Sequence, residues 1–181
     1  MIDPAWSAPA AYEAALGLAW LSQSGSYALL RLLPRQGPKE IWRASRRQLL
    51  QWGLSAPAVD RFEEKRRHFA VGESEALLAR AGMRFLPFGS SFYPPELTHL
   101  EFPPAGLFAR ATGGVLARLQ CVPRVTIVGT RKATPYGLRA AEAFAGAFAA
   151  GGIAVASGLA MGIDGRAHRA AVCRGAHGRL G

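Results

Sequence analysis

"VTIVGTRKATPYGLRAAEAFAGAF", residues 125–148, decides how the C-terminal half of the chain folds. With Arg124 before it, the run RVTIVG is apolar and β-branched, the composition of a strand buried on both faces of a parallel sheet. Gly129, Thr130 and Arg131 end that run. Thr134 has the chemistry of a helix cap, and Pro135 suits the first helical position. Helical spacing then places Leu138, Ala141, Ala145 and Phe148 on one face, and Gly151-Gly152 stops the helix. "IAVAS" (153–157) reads as the next strand, "GLAMG" (158–162) as a loop, and Asp164 as the cap of a helix through Ala171. Strand, helix, strand, helix is a βαβα unit, the start of a parallel α/β sheet.

In such a sheet, ligands sit beyond the C-terminal ends of the strands. Two glycine-bearing loops fall there, residues 129–134 and 157–163, and adjacent parallel strands bring them side by side. The first offers amides near a helix start, the Thr130 hydroxyl and the Arg131 guanidinium. The second offers Ser157, Gly158 and Gly162. Helix N-termini and free amides favour anions, and glycine lets a phosphate approach the backbone. The cofactor signatures are missing. No G-x-G-x-x-G follows Val128, Ser157 stands where a ribose-binding acid would be, and there is no G-x-x-x-x-G-K-[ST]. No cofactor is expected. The pattern points to a phosphate backbone or a small anionic ligand, with plain turn-forming glycines as the bland alternative. Asp164 and His168, four residues apart, could form an acid–base pair, but a capping Asp and a surface His explain them more simply. No catalytic set with nucleophile-elbow spacing exists.

The rest of the chain fits a polyanion-binding protein of one medium domain, or a small domain plus part of another. Of 181 residues, 22 are Lys or Arg and 12 are Asp or Glu, a formal net charge of +10. Only Lys39, Lys65 and Lys132 are lysine; the remainder is arginine, which suits bidentate phosphate contacts. Such charge attracts polyanions but is equally what solvated surface arginines produce. No run approaches the roughly 18 apolar residues of a membrane helix, and the acidic N-terminus carries no export signal. Cys121 and Cys173 are too few for a disulfide framework or a zinc site, and buried thiols in a reducing cytoplasm are expected.

Residues 11 to about 70 read as four or five short helices. "AYEAALGLAWLSQS" carries Leu16, Ala19 and Trp20 near helical spacing, and Gly25 breaks it. "SYALLRLLPRQG" is a helix stopped by Pro34 and Gly37. "GPKEIWRASRRQLLQWG" presents Ile41, Trp42, Leu49 and Leu50. "SAPAVDRFEEKRRHFA" opens with Ser55 and Pro57 as cap and first turn. Between Arg31 and Arg67 there are ten basic and four acidic residues, a net +6. A helical bundle with solvated arginines and a nucleic-acid contact both fit. From Met83 the pattern changes: "MRFLPFG" and "AGLFARA" look like short strands. Between them "SSFYPPELTHLEFPP" carries proline pairs that exclude a continuous helix or central strand. His99 there is expected on the surface.

At "VGTRKATPYG" and "SGLAMGIDGRAHRAAV" the chain resembles the DNA-processing protein A family, also called DprA or Smf. "FYPPELTHLEFPPAGLFARA" resembles the same family's tyrosine–proline segment, and the N-terminal helices look like its SAM-like domain. The resemblance implies an α/β fold: a small all-helical domain (1–72), a connecting segment with leading strands (73–123), and the first, incomplete βαβα unit (124–181) of an extended Rossmann-like parallel sheet. It implies a cytoplasmic, non-enzymatic protein that binds single-stranded DNA, protects incoming DNA in natural transformation, loads RecA and forms homodimers. The family's G-[ST]-R motif falls on Gly129, Thr130 and Arg131, followed by Lys132. Its second motif falls on Ser157, Gly158, Ala160, Gly162, Ile163 and Asp164. The expected DNA-binding residues are therefore Gly129, Thr130, Arg131, Lys132, Ser157, Gly158, Gly162 and Asp164.

Two departures from the family pattern stand out. Met161 occupies a position where several members carry Arg or Lys. The chain also ends in "CRGAHGRLG" where the family continues with a glycine pair and another strand, so a frameshift or a truncation is expected. A sheet of two βα units leaves exposed an edge and a face that later strands would cover. Two other functional classes compete: a nucleotide-cleaving, phosphoribohydrolase-like enzyme, and a protein-interaction module with a vestigial α/β part.

Overall fold

The computed structural model describes residues 9–22, 27–110, 114–115, 117 and 121–177. The N-terminal stretch expected to carry no export signal, the break expected at Gly25 and the last residues of the tail lie outside the described residues. The chain forms two compact units, Met1–Gly113 and Gly114–Gly181.

In the first unit the order is α1 (Pro9–Ser22), a 3-10 turn (Tyr27–Leu32), α2 (Leu33–Arg43), α3 (Arg46–Gln51), α4 (Ala56–His68), α5 (Val71–Arg80), β1 (Arg84–Pro87), a second 3-10 turn (Pro95–His99) and β2 (Gly106–Ala109). Two helix boundaries differ from the sequence reading. Pro34 opens α2 instead of stopping a helix, because the first turn needs no amide donor. Gly37, at φ 75° and ψ 161°, is non-helical and ends the short first part of α2, as the sequence reading has it, and Pro38 starts its second part. The helix expected across residues 37–53 breaks at Ser45. There a capping box starts α3: the Gln48 amide donates to Ser45 Oγ, and the Ser45 amide donates to Gln48 Oε1 at 2.9 Å.

Helices and strands of this unit share one core. Leu16, Leu18, Leu33, Ile41, Leu49, Val59 and Phe62 are fully buried, and Phe85 of β1 and Ala105 beside β2 join them. Tyr12 meets the Phe85 ring edge-on at 5.7 Å, and Trp20 meets Phe108 at 6.1 Å. β1 and β2 pair antiparallel with each other, from Arg84 opposite Ala109 to Pro87 opposite Gly106. These strands and α5 therefore pack with the helices. The two compact units divide at Gly113–Gly114, because the aromatic faces of β1 and β2 are buried against the helical core. The proline-rich segment wraps as turns, with Tyr93 Oη donating to the Pro104 carbonyl at 2.9 Å. Burial pushes the Tyr93 phenol up to about 12. His99 is exposed, as expected.

Several arginines of this unit serve the fold. Arg31 donates to the Gly53 carbonyl at 2.9 Å, Arg66 to the carbonyls of Trp42 and Ala44, and Arg110 to that of Ala81. Arg66 also lies over the Phe62 ring, 4.9 Å from its centroid. Arg46 bridges Asp60 and Glu63. Part of the positive charge read from the sequence thus closes helix ends, where carbonyls lack partners.

The second unit contains β3 (Arg124–Thr126), α6 (Pro135–Ala150), β4 (Ala154–Ala156) and α7 (Ile163–His177). β3 and β4 are parallel, with Arg124 opposite Ala154 and Thr126 opposite Ala156, and α6 is the crossover between them. The predicted cap is present: Thr134 Oγ1 accepts from the Gly137 amide at 3.2 Å, and Pro135 occupies the first turn. α6 and α7 pack on each other and on β4, through a seam of Ala141, Ala145, Gly146 and Ala167. β3 is not buried on both faces: Arg124 and Thr126 are exposed and Val128 is 66% exposed. Among the described residues the sheet has two strands, and the helices pack on β4. Cys121 and Cys173 are exposed, against expectation. No helix among the described residues is long and apolar enough to cross a membrane.

Candidate functional site

The two glycine loops meet. The Ile163 amide donates to the Thr130 carbonyl at 3.3 Å. Gly162, at φ 86°, presses its Cα against the first loop: a Cβ there would lie 2.3 Å from the Thr130 carbonyl oxygen and 2.8 Å from that of Arg131. Glycine is required on both grounds, the left-handed backbone and the close approach. Gly129 is constrained from the other side, since a Cβ on it would meet Ile163 at 2.7 Å. Ile163 wedges between Gly129 and Gly137 and so seats α7 against the start of α6.

Asp164 locks this arrangement. One carboxylate oxygen accepts from the Gly129 amide at 3.1 Å and the other from the Gly158 amide at 3.0 Å. One side chain therefore ties the loop after β3 to the loop after β4. Burial pushes the Asp164 carboxyl up. The Gly129 amide, Ser157, and the Gly158 and Ala160 amides outweigh that effect and hold the carboxyl below its ordinary value. The Ser157 hydroxyl is buried beside it but has no partner at full hydrogen-bond geometry.

The sequence-predicted residues divide into two sets. Thr130, Arg131 and Lys132 are exposed at the loop surface, and neither Arg131 nor Lys132 enters an ion pair among the described residues. Thr130 Oγ1 accepts from the Lys132 amide at 3.2 Å, which fixes the turn presenting both cations. Gly129, Ser157, Gly158, Gly162 and Asp164 build the support. Two groups named from the sequence have partners within the protein. Asp164, grouped with the ligand-contacting residues, is buried, and its negative charge would repel a phosphate. The Gly129 and Gly158 amides, expected to cradle phosphates, are spent on Asp164. Nor do Asp164 and His168 pair: the His168 ring faces the Ser157 carbonyl, with Nε2 3.5 Å from it.

Sequence reasoning missed the apolar rim of the site. Leu159 is 75% exposed at φ 56°, a rare backbone for leucine, and Met161 and Tyr136 are 78% and 75% exposed. The signal was three large apolar residues at loop tips and a helix start, where spacing alone does not say which side they face.

A helical module followed by a parallel βαβα unit, with two glycine loops clamped by one carboxylate, defines a Rossmann-like α/β protein built around a paired-loop surface. The family model for DNA recombination-mediator protein A matches residues 84–178, just over half of the chain, and the chain belongs to that family. Protein Smf of Escherichia coli is 34% identical over 124 residues, 68% of this chain and 32% of that protein. DNA processing protein DprA of Bacillus subtilis is 35% identical over 91 residues, 50% of this chain and 30% of that protein. The chain thus spans about a third of the length of these relatives. The crystal structure of DNA processing protein A from Streptococcus pneumoniae superposes with a TM-score of 0.59 at 24% identity. The match covers 86% of this chain and 52% of that one, and confirms the fold.

Proposed function

We propose that the chain binds single-stranded DNA through its paired loops and acts as a recombination mediator. It would protect incoming strands during natural transformation and hand them to RecA in the cytoplasm, as part of a homodimer. One observation carries the reading: the Asp164 clamp holds two loops side by side, and Arg131 and Lys132 stand exposed on the surface they form. Arg131 pairs with a phosphate, Lys132 and the Thr130 hydroxyl add donors, and the exposed Tyr136, Leu159 and Met161 give bases an apolar surface. Nothing in this set reads base edges, so sequence preference is weak. Affinity falls steeply with salt, because each neutralised phosphate releases counterions.

The test is a fluorescence titration with single- and double-stranded oligonucleotides at two salt concentrations. Single strands bind more tightly, and Arg131→Ala weakens that binding by about 1.5–3 kcal/mol, the range for a charged hydrogen bond. Equal binding by parent and variant at moderate salt removes Arg131 from the site.

A further inference from the structure

Away from the loops, α6 and α7 enclose a cleft of about 690 Å³. Four arginines line it, Arg139 on α6 and Arg166, Arg169 and Arg174 on α7, against one carboxylate, Glu142. Arg166 Nη1 pairs with Glu142 at 3.3 Å, while its buried Nε has no partner. Arg139, Arg169 and Arg174 are exposed and enter no ion pair among the described residues. The floor is made of small residues such as Gly146, Ala147 and Ala170. A ligand can therefore lie close to the helices without displacing bulky side chains.

The charges form a strip. At about 1.5 Å per residue, Arg166 to Arg174 spans roughly 12 Å along α7. A row of guanidiniums of that length matches a linear chain of phosphates better than a single small anion. Arginine's planar fork suits the phosphodiester oxygens. We propose that this cleft is a second contact for the sugar–phosphate backbone of a single strand, in addition to the loop pair. The proposal rests on the DNA-binding reading above, and its ligand is nucleic acid and not an acidic protein segment. Glu142 is the opposing charge: it occupies Arg166 and must be outweighed when the backbone enters.

The experiment uses the full chain with fluorescent oligo-dT, one oligonucleotide short enough for the loop site alone and one several times longer. Three variants are compared: Arg139→Gln/Arg169→Gln/Arg174→Gln, Glu142→Gln and Arg131→Ala. The triple variant is expected to bind the long oligonucleotide about tenfold more weakly. Its slope of log affinity against log salt is shallower by about 2, from three lost phosphate contacts at roughly 0.7 each. Binding of the short oligonucleotide stays unchanged. Glu142→Gln is expected to bind the long oligonucleotide more tightly, a gain that misfolding cannot produce. In a Cys121→Ser background, the long oligonucleotide also slows maleimide labelling of Cys173, which lines the cleft.

An unchanged affinity and salt slope in the triple variant, alongside weaker binding by Arg131→Ala, overturns the cleft and leaves the loop site standing. Loss in the triple variant with no effect of Arg131→Ala supports the cleft and removes the loop site. Poly-glutamate that protects Cys173 where oligo-dT does not assigns the cleft to acidic protein and overturns the proposal.

Discussion

Asp164 is the residue on which the paired loops depend, and its chemistry can be read by titration. Its carboxyl is held below the ordinary value by donors from both loops. Its ionised form therefore stabilises the fold at every pH above the unfolded carboxylate value of about 3.9. That stabilisation disappears only as pH falls through the lower, folded-state value. Asp164→Asn is expected to lower the melting temperature at neutral pH and to flatten the acid side of the stability curve. In the parent, the Gly129 and Gly158 amide resonances should titrate together below the usual carboxylate range. Two amides that titrate separately, or not at all, would refute the shared clamp. Gly162 is the second test at this scale. Gly162→Ala places a methyl against the Thr130 carbonyl and demands a left-handed backbone from alanine, a cost of about 1–3 kcal/mol in thermal or denaturant unfolding. Arg131, in contrast, enters no ion pair among the described residues, so its replacement should leave the melting temperature alone and, under the proposed function, lower only the affinity for single strands.

α6 and α7 show how far local chemistry determines an element. The start of α6 follows from Thr134 and Pro135 and is present as expected. Thr134→Ala is expected to cost about 1 kcal/mol of stability, within the usual 0.5–2 for a lost cap, as measured by urea denaturation. The helix breaks in the first unit were harder to read. Pro34 looks like a stop, yet proline is tolerated in a first turn, and it is Gly37 that interrupts the helix. Ser45 with Gln48 carried a readable capping-box signal three residues apart, inside a stretch whose apolar spacing suggested one long helix. β3 looked buried on both faces because its residues are β-branched, but composition reports only what a strand can bury. What covers it depends on neighbours that its own sequence does not contain.

For the whole molecule, the two units predict independent responses to core damage. Phe62 is fully buried in the core of the first unit, where it touches the Trp42 ring at 5.8 Å between centroids. Phe62→Ala is expected to destabilise that unit by about 3–5 kcal/mol. The Gly129 and Gly158 amide shifts, reporters of the Asp164 clamp in the second unit, should stay in place. Their loss in this variant would mean that the units fold as one. The second unit buries few large side chains among its described residues. It leaves Val128, Phe144 and Val172 between 62% and 69% exposed. The net charge of +10 is unevenly used: several arginines of the first unit close helix ends, while the cleft and the loop pair of the second present theirs to solvent.

By itself the sequence determined the βαβα order, the helix cap at Thr134, the two glycine loops and Arg131 as an exposed cation. Each of these rests on local chemistry: β-branching, a hydroxyl and proline at a helix start, and glycine where strands end. Only the tertiary structure decided that Asp164 faces inward, that the Gly129 and Gly158 amides serve it, that β1 and β2 belong with the helices, and that four arginines converge between α6 and α7. Those outcomes depend on which groups far apart in the chain come within bonding distance, and residue spacing along one segment carries no record of that.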